Sequence, residues 1–301
     1  MKKILNNNII FVITSFVFSA AIILILLIYM KTGASRTANT ADERIASLAP
    51  SATEYLYAIG LGDKIAADTI YCNYPEDAKN KAKIGALEQI NYEYMARLNI
   101  NTAVLQQGMD KQKKRLEEMG IRVITISNNT IDDIISSFDT LGEAFGMKET
   151  AGMKKREIIE KIEAVKNNIP KNEKKETAVI SVFRNAAPVT AIIAAGGNNL
   201  YNDILDIFNL ENPFAKYTPY PEISAEGIIS VNPDIIIDIT RKDAARTAAE
   251  EWNALPFINA VRNGRIYIME DNMMSIPGPR IADILQQFAE TLYGKNNAEN
   301  K

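Results

Sequence analysis

Two glutamates, Glu93 and Glu226, stand in matching settings in the two halves of the chain. Asn91-Tyr92-Glu93-Tyr94-Met95-Ala96-Arg97-Leu98-Asn99 leads into the apolar Thr102-Ala103-Val104-Leu105, and Ser224-Ala225-Glu226-Gly227-Ile228-Ile229-Ser230-Val231-Asn232 leads into Ile235-Ile236-Ile237. Each copy has a capping residue, a glutamate two positions later, an apolar pair, an asparagine six residues past the glutamate, and then a strand. A carboxylate in a helix's first turn is favoured by the macrodipole by ~0.3–1 kcal/mol, which by itself accounts for the residue type. Its repetition, one per half, suits docking onto a two-fold partner better than it suits catalysis.

Other chemistry is narrowed by what the sequence lacks. It contains no histidine. That removes Ser-His-Asp and Cys-His nucleophiles and the imidazole ligand sets for zinc and haem. Cys72 is the single cysteine; without a histidine base it reads as a small buried hydrophobe. Ala194-Ala195-Gly196-Gly197-Asn198 is glycine-rich but lacks the dinucleotide-binding spacing after a strand. The net charge of -3, with no basic stripe, gives no reason to expect nucleic acid. No metal site or cofactor is expected.

The elements that position the glutamates alternate between strand and helix. Strands are expected at 45–48, 64–69, 102–105 and 122–126, with helices at 50–60, 110–119 and 131–145. The stretch 148–168 differs: it is charged, with Met153, Ile158, Ile159, Ile162 and Val165 at helical spacing, and reads as one long helix. Alternation resumes with strands at 177–183, 235–239 and 265–269 and helices at 199–208, 244–253 and 279–293. The expected fold is therefore α/β: two lobes, each a mostly parallel sheet flanked by helices, joined by one long rigid helix. The corresponding boundaries are 44–147 for the first lobe, 148–170 for the linking helix, 171–295 for the second lobe and 296–301 for a polar tail.

Ahead of the lobes, an apolar run over 9–29 follows Lys2 and Lys3. Crossing a bilayer takes ~20 residues, so 1–30 reads as an N-terminal transmembrane signal anchor or, with small residues at Thr32-Gly33-Ala34, a cleaved signal peptide. Residues 31–43 read as a polar tether, which places the soluble part outside the cytoplasm at the cell membrane.

Ligands of α/β sheets bind beyond the carboxyl ends of strands. The candidate loops are 50–53, 71–74, 106–109, 183–185, 217–220, 240–241 and 271–275. They are rich in Tyr, Phe, Met, Gln and Asn, with two arginines, and lack a carboxylate cluster for a hard cation. Aromatic faces with amide donors suit a bulky, partly apolar ligand with polar edges. Arg184 and Arg241 leave an anionic chelate or an oxyanion open.

From about Arg44 to Gly294 the chain resembles the class III (helical-backbone) solute-binding proteins of ABC importers that take up vitamin B12, iron-siderophores and haem. Its likeness is greatest to the cobalamin-binding branch. The carrying motifs are Leu48-Ala49-Pro50-Ser51-Ala52-Thr53-Glu54, Tyr71-Cys72-Asn73-Tyr74-Pro75 and Tyr220-Pro221-Glu222-Ile223-Ser224-Ala225-Glu226. Asn232-Pro233-Asp234-Ile235-Ile236-Ile237, Asn263-Gly264-Arg265-Ile266-Tyr267 and Pro277-Gly278-Pro279-Arg280 complete the set.

The resemblance implies a binding protein without enzymatic activity that works with a permease dimer and its ATPase. One surface glutamate per lobe would pair with permease arginines, and those positions match Glu93 and Glu226. Tyr71, Phe183 and Tyr220 would line the ligand cleft, with Gln106 and the 271–275 loop, including Met274, nearby. Tryptophans that pack on the corrin ring in a well-studied relative stand here as Leu87, Gln106 and Tyr220 or are displaced, and the one tryptophan, Trp252, sits on a helix. A lipid-bearing N-terminal cysteine is also missing, so the anchor helix is expected to tether the protein. The expectation is a monomeric receptor for cobalamin or a related metal chelate. Siderophore, haem or oxyanion binding is the nearest alternative, and a free-metal receptor or an enzyme or metallochaperone on this scaffold is a further one.

Overall fold

Ile235, Ile236 and Ile237 point to alternate faces of their strand, and all three are buried. Such strands belong to sheets covered on both sides. We describe the protein from a computed structural model covering residues 43–170, 174–185, 189–271 and 273–294. The anchor or signal peptide, most of the tether and the tail lie outside the described residues. Among the described residues no helix is long and apolar enough to cross a membrane.

The first lobe runs β1 (Ile45–Ser47), α1 (Pro50–Ala58), β2 (Ile65–Asp68), β3 (Ala82–Lys83), the hairpin β4 (Gly85–Ala86) and β5 (Gln89–Ile90), α2 (Tyr92–Arg97), β6 (Thr102–Gln106), α3 (Asp110–Glu118), β7 (Arg122–Ile126) and α4 (Ile131–Ala144). Its sheet has the order β3-β2-β1-β6-β7, and every pair is parallel. The long helix α5 (Lys148–Asn168) follows and buries Ala151, Ile158, Ile162 and Val165.

The second lobe runs β8 (Glu176–Arg184), β9 (Ala191–Ala194), α6 (Leu200–Ile207), β10 (Leu210–Glu211), β11 (Glu222–Ser224), α7 (Ala225–Val231), β12 (Ile235–Thr240), α8 (Ala245–Trp252), α9 (Asn259–Arg262), β13 (Ile266–Glu270) and α10 (Ile281–Tyr293). Its sheet has the order β11-β9-β8-β12-β13, with β10 beside β8. Strands β8, β10, β12 and β13 pair in parallel, whereas β9 is antiparallel to both β8 and β11. The antiparallel β9 is an addition to the alternation read from the sequence.

One apolar cluster joins the lobes. It takes Ile45 and Val104 from the first sheet, Ile235, Ile237 and Ile239 from the second, Phe138 from α4, Ile158 and Ile162 from α5, and Phe288 from α10. The outer faces have separate cores: Ala46, Ala103 and Leu105 in one, and Val179, Ile236 and Trp252 in the other. A shared inner core makes relative movement of the lobes costly, because sliding would expose close-packed apolar surface. Polar contacts reinforce it. Asp203 of α6 accepts from the Ile131 backbone N–H at the head of α4 (2.9 Å), and Arg280 reaches Glu54 of α1.

Candidate functional site

The two glutamate helices are built alike. Asn91 Oδ1 accepts from the Tyr94 N–H at 2.9 Å, and Ser224 Oγ accepts from the Gly227 N–H at 3.3 Å. Both are N-cap bonds to the third helical residue. Asn99 (φ 51°) and Asn232 (φ 44°) each end the motif in the left-handed region, which asparagine tolerates better than most residues. The Glu93 side chain is 89% exposed, with Arg97 as an ion-pair neighbour at 3.9 Å. Glu226 is exposed too. A hydrogen bond from the Ser224 hydroxyl, then one from its own backbone N–H, holds the Glu226 carboxyl below the usual range.

Several aromatic side chains stand out of the fold. Tyr71 is 54% exposed, Phe183 62% and Tyr220 50%, with Tyr74 and Tyr217 half-exposed as well. Each is held by a specific device. The loop carrying Tyr71 and Tyr74 is pinned by Lys83, whose ammonium donates to Asp68 Oδ1 (2.7 Å) and to the carbonyls of Cys72 (2.8 Å) and Ala78 (2.9 Å). Burial pushes the Asp68 carboxyl up despite this partner. At the end of β8 the strand's alternation turns Arg184 inward and Phe183 outward. The segment bearing Tyr217 and Tyr220 lies over Gly196 and Gly197. A Cβ on either would collide with the carbonyl oxygen of Thr218 or Ala215, so the glycine pair serves packing here.

Tyr201 ties α6 to the loop after β13. Its hydroxyl donates to the Met274 carbonyl at 2.9 Å. Burial, followed by the proximity of Tyr220 and Asp271, pushes the Tyr201 phenol up.

Three recesses meet at Asp271. One of about 610 Å³ is bounded by Asn73, Tyr74 and Lys79 from the first lobe and by Ile276 and Arg280 from the second. Another, of about 280 Å³, lies among Phe183, Arg184, Thr240, Arg241 and Glu251. A third, of about 1010 Å³, is bordered by Arg241, Lys242, Asp243, Arg246 and Glu270. Together they form a trough from the interlobe seam to the rim of the second sheet.

Not every candidate residue meets this trough as a free ligand contact. Arg184 is 5% exposed; its Nε donates to Asp238 Oδ2 at 2.5 Å and its Nη1 pairs with Glu251. Asp238 also accepts from Trp252 Nε1 at 2.9 Å, and burial pushes its carboxyl up. Arg184 therefore holds a structural ion-pair network instead of offering a free guanidinium, because a buried carboxylate requires a cation. Met274 is fully buried, so its carbonyl does the work at this position while its side chain fills the core. Arg241 is exposed on the rim and pairs with Asp243 at 2.9 Å. Gln106 is half-buried, and its amide donates to Ser51 Oγ at 2.6 Å. Cys72 is buried against Thr69, and burial pushes its thiol up.

Two contacts were not legible in the sequence: the Arg280 guanidinium lies 4.3 Å from the centre of the Tyr74 ring, and Asn128 joins Gln106 at Ser51. Among the described residues no group of three His, Cys, Asp or Glu side chains could hold a metal ion.

Two α/β lobes on a shared core, with an aromatic-lined trough between them, define a two-lobed solute-binding fold. Residues 45–273 match the family model described as "Periplasmic binding protein", and the chain belongs to that family. It is 28% identical over 259 residues to an uncharacterised ABC transporter substrate-binding lipoprotein of Bacillus subtilis, covering 83% of this chain and 80% of the relative. It is 26% identical over 257 residues to the vitamin B12-binding protein of Vibrio parahaemolyticus, covering 84% and 90%. Among solved structures, a possible iron-binding periplasmic solute-binding protein of Staphylococcus epidermidis superposes with a TM-score of 0.75 at 28% identity, covering 83% of this chain and 98% of the other. The periplasmic haem-binding protein of Vibrio cholerae shares the fold with a TM-score of 0.71 at 20% identity, covering 83% and 99%.

Proposed function

We propose that this protein is the extracytoplasmic receptor of an ABC importer. It captures cobalamin or a related tetrapyrrole or siderophore chelate in the interlobe trough and delivers it to the permease. The carrying observation is the exposure of Tyr71, Phe183 and Tyr220, with Phe183 and Tyr74 lining the trough itself. Large aromatic surfaces left in water mark a binding site, and flat rings suit the face of a bulky chelate. A relative named as a vitamin B12-binding protein supports the same class of cargo, and one named as an ABC transporter substrate-binding lipoprotein supports the receptor role.

In this reading Glu93 and Glu226 meet the two halves of a permease dimer, and residues 1–30 tether a monomer to the cell membrane. The lobes 44–147 and 171–295 act as one rigid receptor on helix 148–170, without catalytic chemistry.

Calorimetric titration of the full-length chain in detergent tests the receptor reading, with cyanocobalamin, haemin, ferric siderophores and molybdate as probes. One chelate is expected to bind at a stoichiometry of one with Kd at or below about 1 μM, roughly -8 kcal/mol. Failure of every chelate to bind would falsify it.

A further inference from the structure

The first sheet changes its direction of winding between β1 and β6: the chain steps from β1 to β2 and β3 on one side, then returns to place β6 and β7 on the other. Such a switch point opens a crevice beyond the carboxyl ends of the two strands. Three neutral polar side chains converge there on one atom. Ser51 Oγ accepts from Gln106 Nε2 at 2.6 Å and from Asn128 Nδ2 at 2.8 Å.

Ser51 lies in the first turn of α1, whose Ala49 cap supplies no side-chain bond and whose first residue, Pro50, has no N–H. Positive helix-end potential is thus directed at the cluster. Asn128 is 7% exposed, and its Oδ1 is buried with no partner among the described residues. An acceptor left in that state costs about 1–3 kcal/mol, so it favours a group that brings a donor. Gly278 of the second lobe closes over Ser51, where a Cβ would stand 3.1 Å from the Ser51 Cβ. The cluster therefore lies at the interlobe seam, with half-buried Gln106 on its open side.

Glu54, one turn along α1, already holds Arg280. A carboxylate entering this cluster would set its oxygens against the Asn128 oxygen. A primary amide brings the N–H that Asn128 Oδ1 lacks and a carbonyl for the remaining Gln106 N–H.

We propose that Ser51, Gln106 and Asn128 form a carboxamide subsite, which makes the receptor select chelates with neutral amide arms over chelates with carboxylate arms. This rests on the receptor reading above and deepens it.

The test compares cyanocobalamin, whose periphery carries primary carboxamides, with its partially hydrolysed carboxylate derivatives and with haemin, on the full-length chain in detergent. The wild type is expected to bind cyanocobalamin at least tenfold more tightly than the carboxylate derivatives. Gln106→Leu and Asn128→Leu should shrink that ratio towards one, a change that a purely structural role would not produce. Equal wild-type affinities for amide and acid forms, or leucine variants that keep the wild-type ratio, overturn the subsite. So does binding of haemin but no corrinoid, which leaves the receptor reading intact. If no chelate binds at all, it is the receptor reading that fails, and the subsite falls with it. Should a leucine variant not fold, the wild-type ligand series alone decides.

Discussion

Arg280 and Glu54 form a bidentate ion pair across the seam between the lobes, Nε to Oε2 at 2.9 Å and Nη2 to Oε1 at 2.6 Å. The Glu54 side chain is almost wholly buried, and the same guanidinium lies over the Tyr74 ring. One cation therefore neutralises a buried carboxylate of the first lobe and supports an aromatic wall of the trough.

Removing that cation leaves a buried charge without a partner. Arg280→Ala should lower stability by about 3–5 kcal/mol, read as an earlier urea midpoint, with Arg280→Lys intermediate because it cannot make both bonds. An Arg280→Ala midpoint equal to the wild type would show that the pair contributes nothing.

Glu54 also sets a pH dependence. Burial pushes its carboxyl above 4.5 and outweighs the opposing effect of Arg280. A carboxyl whose pKa is raised by folding binds its proton more tightly in the folded state. Its contribution is full below about pH 4.5 and is lost as pH rises through the raised value. Glu54→Gln should therefore gain stability relative to the wild type as pH rises from about 4 to 7. A flat or falling difference in urea midpoints over that range would contradict this.

Arg184 is expected to act on stability. Arg184→Ala strands Asp238, which is fully buried and also bonded to Trp252. The loss should be about 3–5 kcal/mol, together with a shift in the emission of Trp252, the single tryptophan. Urea unfolding followed by that fluorescence gives both readouts, and an unaltered spectrum and midpoint would refute the role.

The backbone plan was legible in the sequence because its signals are local. The apolar spacing of Ile158, Ile162 and Val165 marked the long helix, and the cap-to-asparagine motifs marked α2 and α7. The antiparallel β9 was not legible: its four residues, Ala191 to Ala194, are short and beside a glycine pair, with no alternation to read. Nor was the fate of Arg184. Its partners Asp238 and Glu251 lie 54 and 67 positions away on other elements, and only the fold brings them together. The burial of Met274 was not legible for a similar reason, since which residues of a short loop turn inward depends on the core beneath it.

Docking through Glu93 and Glu226 predicts a separation of two functions. Glu93→Ala combined with Glu226→Ala should abolish cellular uptake of the cargo while leaving its affinity for the purified protein unchanged. Charge pairs at an interface rim govern encounter and salt dependence more than a ligand bound elsewhere. Wild-type uptake by the double variant would remove the docking role.

The central claim is that the exposed aromatics hold the cargo. It is tested most directly by titrating the chelate that binds the wild type into the Phe183→Ala, Tyr220→Ala double variant by calorimetry. Two lost ring contacts at about 0.5–1.5 kcal/mol each, beyond their apolar area, predict at least a tenfold weaker Kd with an unchanged melting transition, because both side chains are half-exposed or more. An affinity equal to that of the wild type would contradict the account and place the cargo elsewhere.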